Sequence, residues 1–152
     1  WTAEASYIDS YIKEKDLIVK KRLANMRVTN NIEPDMNKRF AQVHCTIIPY
    51  TEFGDFVKLT PNSALESLAA GKPVLFSSKW GIAKIIKDNK VGVVFEPNSD
   101  SLIHAIDELK KNYDHYQQNC RKVAENKFAK AIFEEEYGKV YNDLAVERKN
   151  GI

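Results

Sequence analysis

Three short apolar runs, CTIIPY from Cys45, PVLFSS from Pro73 and VGVVFEP from Val91, alternate with stretches of helical periodicity, and this alternation constrains the fold more than anything else in the chain. Each run is too short for a buried helix and is bounded by Pro, Gly or Ser, so each reads as a strand. Unbroken apolar runs mark strands buried on both faces, and strands that alternate with helices are joined by helical crossovers, which makes them parallel. The expected fold is therefore α/β: a Rossmann-like open parallel sheet flanked by helices.

Local chemistry bounds the intervening helices. In TPNSALESLAAGKP, Thr60 suits a cap, Pro61 suits the first turn because no amide hydrogen is needed there, and Gly71 suits the left-handed residue that ends the helix. GIAKIIKDN reads as a short helix, and Ser99 or Asp100 is the expected cap of a helix bearing Leu102, Ile103, Ile106 and Leu109. Upstream, Tyr7, Ile8, Tyr11 and Ile12 predict an amphipathic helix over Ala5 to Lys20. MRVTNNI reads as a strand, and EPDMNKRFAQVH as a helix with Pro34 near its start and Met36, Phe40 and Val43 on one side. Two further helices close the chain, one with Tyr116, Cys120 and Val123, the other with Phe133, Tyr137, Val140, Tyr141 and Leu144. These should pack against the sheet or an absent partner, and the terminal ERKNGI is expected to fray.

A chain of 152 residues suits one ordinary domain, taken here as 1–152. A net charge of +2, with lysines interleaved among acids, gives no nucleic-acid footprint. Cys45 and Cys120 lack metal-type spacing and read as reduced core thiols, which points to a cytoplasmic protein. No apolar run approaches the roughly 20 residues of a membrane span. Lys84, Lys87 and Lys90 read as a solvated face that also suits an anionic membrane surface. His44, His104 and His115 read as packing or surface residues, and Trp80 as a loop aromatic that either contacts a sugar or base or packs over the sheet edge.

One carboxylate stands out. Glu66 sits between Leu65 and Leu68 in an otherwise small, apolar helix, where a solvated helix would carry several charges. Ligands of open parallel sheets bind at the carboxyl ends of the strands, beside helix amino termini that favour anions. Thr60, Asn62 and Ser63 there offer amides, hydroxyls and a side-chain amide to phosphate oxygens, and Glu66, one turn further in, can accept hydrogen bonds from a vicinal diol. The plainer alternative is that Glu66 only complements its own helix or a lysine such as Lys58.

The stretch PNSALESLAAGKPVLFSSKWGIAKIIKDNKVGVVFEPNSDSLIHAIDEL resembles the carboxyl-terminal, donor-binding domain of GT-B retaining glycosyltransferases, of the group 1 mannosyl- and glucosyltransferase type. The matching parts are Glu66, Gly71-Lys72-Pro73-Val74, Trp80-Gly81-Ile82, and Gly92-Val93-Val94-Phe95 before Glu96-Pro97. The resemblance implies that Glu66 binds the donor ribose, that the amides around Asn62 and Ser63 approach the diphosphate, and that Tyr50 or Thr51 lies near the nucleoside. It implies a UDP- or GDP-sugar as donor substrate, no metal or other cofactor, a glycan or lipid-linked acceptor, and an amino-terminal acceptor-binding domain as partner, at the inner face of the membrane in some members.

Two departures qualify it. Eight positions before Glu66, where the family carries a second glutamate near the transferred sugar, stands Lys58; Glu52 in TEFGD is the candidate counterpart. The family's glycine-basic pair and following lysine have no counterpart before Trp1, so the chain reads as a fragment, inactive alone and lacking the first strands of its sheet. Two alternatives stay open: a non-catalytic GT-B-like interaction module, and a sugar-nucleotide epimerase-like domain.

Overall fold

A computed structural model describes residues 35–50, 61–78 and 81–149. The chain divides into two compact units, Trp1–Met36 and Asn37–Ile152, and the account below concerns the second. The predicted helix over Ala5 to Lys20, the strand MRVTNNI, Pro34, the residues Thr51, Glu52, Lys58 and Thr60, Trp80, and the end of ERKNGI lie outside the described residues.

The elements run α1 (Met36–Ala41), β1 (Thr46–Ile48), α2 (Asn62–Ala69), β2 (Val74–Ser77), α3 (Ile82–Asp88), β3 (Gly92–Phe95), α4 (Ser99–Lys111), α5 (Tyr113–Phe128) and α6 (Lys130–Lys149). The described strands form one sheet in the order β1-β2-β3, parallel throughout. The alternation in the sequence is thus realised as an open parallel sheet flanked by helices; β2 lies between the other two described strands with both faces covered, all four of its residues being buried.

Strand periodicity sorts the core into two layers. Ile48, Val74 and Phe76 point to the face packed by Ala64 and Leu68 of α2, Ile82, Ala83 and Ile86 of α3, and Cys120, Val123 and Ala124 of α5. Leu75 and Phe95 point to the other face, against Ala105 and Leu109 of α4. The inward stripe of α4 is Leu102, Ala105, Ile106 and Leu109. Ile103, expected on that stripe, is 56% exposed, because it falls one step off the i, i+3, i+4, i+7 spacing. Met36 and Val43 are exposed, and only Phe40 of α1 is buried.

Both crossover helices end by the same device. Gly71 has φ +68°, and the Lys72 amide donates to the Ser67 carbonyl (2.8 Å) while the Gly71 amide donates to that of Leu68 (3.0 Å). This pair of bonds is the Schellman termination that the Gly-Lys-Pro sequence predicts. After α3 the left-handed residue is Lys90, φ +51°, with Val91 donating to Ile86 (3.1 Å) and Lys90 to Lys87 (3.2 Å).

Two helix starts differ from the sequence reading. Pro61 occupies the N-cap of α2 with extended backbone, not the first turn. The cap of α4 is Asn98, whose side chain accepts from the Ser101 amide at 2.9 Å, and not Ser99 or Asp100.

Candidate functional site

The chain enters α2 at the carboxyl end of β1, and Pro61 sets what that entrance offers. Its carbonyl accepts from the Ala64 amide at 2.9 Å, and among the described residues no side chain caps the end. Within the helix this leaves the amides of Asn62 and Ser63 without a carbonyl partner, in an exposed first turn where the helix dipole favours negative charge. Both residues thus lie in the first turn of α2.

Glu66 lies one turn further along the same helix and is exposed. Among the described residues no salt bridge is formed by it; it borders a groove of about 390 Å³ between α2 and α5, with Leu65 and Ala69 on one wall and Arg121, Ala124, Glu125 and Phe128 on the other. The groove floor is apolar. Its charged rim holds Glu66 together with the pair Arg121 and Glu125, whose Nε and Oε1 are 2.9 Å apart.

What holds α2 in place is buried immediately behind Glu66. Ser67 is wholly inaccessible: its hydroxyl accepts from Thr46 Oγ1 (2.8 Å) and donates to the Lys72 carbonyl (2.9 Å), tying β1, α2 and the Gly71 turn together. Leu68 and Ala64 seat the helix on the sheet, so Glu66 faces outward because its neighbours face in.

Tyr50, the other described candidate, is half-buried with its ring edge-on to Phe76 at 6.3 Å. It does not line the α2–α5 groove. A second groove, of about 430 Å³, follows the outer edge of β3 past Lys87, Lys90, Ser101 and Tyr116; it touches none of the sequence-predicted site residues. The ring of His44 stands edge-on to Tyr113, and its backbone carbonyl accepts from the Tyr113 hydroxyl at 2.9 Å, while the ring of His115 lies 6.1 Å from that of Tyr116. Burial pushes both thiols up, Cys120 to about 12, which keeps them protonated and unreactive near neutral pH. No cluster of His, Cys, Asp or Glu able to hold a metal occurs among the described residues, and none of their helices is long and apolar enough to cross a membrane.

The family model for glycosyl transferases group 1 matches residues 9–127. The chain belongs to the group 1 glycosyltransferase family. Its fold matches sucrose-phosphate synthase from Thermosynechococcus elongatus with a TM-score of 0.67 at 20% identity, over 89% of this chain and 34% of that one. The chain therefore spans about a third of the length of that protein, and the described sheet and helices are those of the Rossmann-like, carboxyl-terminal half of the GT-B fold. No curated protein matches the chain. The group 1 match ends at residue 127, so α6 lies beyond it, and its Phe133, Tyr137, Val140, Tyr141 and Leu144 are all more than half exposed.

Arg121, Glu125 and Phe128 were not singled out from sequence. Their spacing puts them on one face of a helix, and that was readable; that this face meets α2 was not, because periodicity says which side of a helix is buried but not against what.

Proposed function

We propose that this chain is the donor-binding domain of a glycosyltransferase that moves a hexose from a nucleoside diphosphate sugar to a glycan or lipid-linked acceptor. The transfer proceeds with retention and without a metal, and an acceptor-binding domain supplies the opposite wall of the cleft. The observation that carries this reading is Glu66: an exposed carboxylate one turn inside a helix that starts at the carboxyl end of a parallel sheet, beside an open groove, in a chain of the group 1 family.

The chemistry follows from position. The amides of Asn62 and Ser63, at the positive end of the α2 dipole, suit a diphosphate. An ionised carboxylate a turn away suits the two hydroxyls of a ribose, since it accepts and never donates. Charge held by aligned amides needs no reorganisation when the leaving diphosphate develops its negative charge, which is how a metal-free site stabilises it. Lys84 and Lys87, exposed on α3, suit an anionic membrane that presents a lipid-linked acceptor.

Isothermal calorimetry of the folded chain with GDP and UDP tests the reading. Binding is expected, and Glu66→Ala weakens it by about 1 to 3 kcal/mol through lost charge-assisted hydrogen bonds. Affinity that survives Glu66→Ala unchanged removes the ribose role. Absence of binding by either nucleotide favours a non-catalytic module.

A further inference from the structure

Among the described residues the sheet ends at β3, whose outer edge lies along the groove of about 430 Å³. The carbonyls of Val91 and Phe95 accept from the Val74 and Ser78 amides, at 3.2 and 2.8 Å, and so face β2. Successive residues of a strand direct their amides and carbonyls to opposite edges, so Gly92 and Val94, which line the groove, turn theirs outward. Side chains close both ends of this stretch. Asn119 Nδ2 donates to the Lys90 carbonyl at 3.1 Å, and the Glu96 amide donates to Ser101 Oγ at 2.9 Å. The stretch between them keeps its outward donors and acceptors, and an edge of this kind is a template for another strand.

Charge says which strand fits. Lys90 at the amino end of the stretch and Glu96 at its carboxyl end are both exposed, and among the described residues neither belongs to an ion pair. They stand about 15 to 20 Å apart along the chain, too far to meet each other. A second β3 running antiparallel across a two-fold axis removes that separation. With Gly92 of one copy opposite Val94 of the other, Lys90 falls opposite Glu96 at each end of the pairing. Directly opposed residues of an antiparallel pair share one face of the sheet, so cation and carboxylate meet on the same side. The same register pairs the outward amides and carbonyls of Gly92 and Val94 with those of Val94 and Gly92 in the other copy. A parallel mate would set Lys90 against Lys90 and Glu96 against Glu96.

We propose that the β3 edge is a self-association surface, through which two copies of this chain join antiparallel into one continuous sheet, with Lys90 of each against Glu96 of the other. The surface is at the sheet edge opposite β1, away from the start of α2, and it does not depend on the donor-domain reading. Sedimentation velocity of the full chain over about 5 to 500 μM tests it. A monomer–dimer equilibrium is expected with a Kd on the order of 10 to 100 μM, because a short edge forms an interface at the small end of the specific range. Lys90→Glu and Glu96→Lys each place like charges at both ends of the pairing and weaken association by about tenfold or more. Mixing the two variants in equal amounts restores the dimer, since every opposed pair then has opposite signs, and that recovery also shows that both variants are folded. A wild type that stays monomeric throughout, association that the charge changes leave untouched, or a mixture no tighter than its components overturns the proposal.

Discussion

Replacing Ser67 with alanine isolates the device that holds the Glu66 helix in register. The hydroxyl is fully buried and acts in both directions, accepting from Thr46 Oγ1 at 2.8 Å and donating to the Lys72 carbonyl at 2.9 Å. Alanine removes both bonds and leaves a hydroxyl donor and a carbonyl acceptor facing an apolar methyl group. Each lost bond is worth about 1 kcal/mol, and the orphaned partners add desolvation that solvent near Thr46 and Lys72 only partly relieves, so the expected loss is about 2 kcal/mol. Urea denaturation followed at 222 nm reads this directly: the midpoint falls with the slope unchanged, since the same surface is exposed on unfolding. The companion Thr46→Val removes the orphaned donor in advance, so the double variant is less destabilised than the sum of the singles by about 0.5 to 1 kcal/mol. A loss below about 0.5 kcal/mol for Ser67→Ala, or strict additivity in the cycle, would refute the relay as a structural tie.

Two further changes are readable in the same assay. Lys90→Gly stabilises the fold by about 0.5 to 1 kcal/mol, because the left-handed backbone at φ +51° costs an L-residue roughly 1 to 2 kcal/mol and glycine's extra unfolded-state freedom returns only part of that; a lowered urea midpoint contradicts it. The Cys120 thiol, pushed up to about 12 by burial, stays protonated in the fold while the unfolded chain ionises near 9. Its contribution is therefore complete below that pH and is lost as pH climbs from 9 towards 12, by up to about 1.4 kcal/mol per unit. Comparing the pH slope of stability in the wild type and in Cys120→Ala isolates this group, and identical slopes between pH 8 and 10 dismiss it.

Where several neighbouring residues could play one local role, the sequence was least decisive. Asn98, Ser99, Asp100 and Ser101 are all good capping types, and the choice of Asn98 depends on Ser101 being engaged twice: its amide by Asn98 Oδ1, its hydroxyl by the Glu96 amide at 2.9 Å. At Gly71 no such competition exists. One residue there tolerates positive φ without strain, and the turn was legible in advance. The apolar stripe of the final helix, read as packing against the sheet or an absent partner, is exposed and not on the described sheet.

By itself the sequence determined the three described strands, their parallel sense, the Gly71 helix stop and the singular position of Glu66. All of these follow from short-range rules: side-chain alternation, left-handed turns, and the absence of other charges on one helix. Only the tertiary structure decided that α5 returns to lie along α2, which places Arg121, Glu125 and Phe128 opposite a carboxylate distant in the chain. The reason is physical. A helix encodes a stripe that must be buried, but many surfaces satisfy that stripe, and the whole core chooses among them through the fit of Ala64, Leu68, Val123 and Ala124 over Val74 and Phe76.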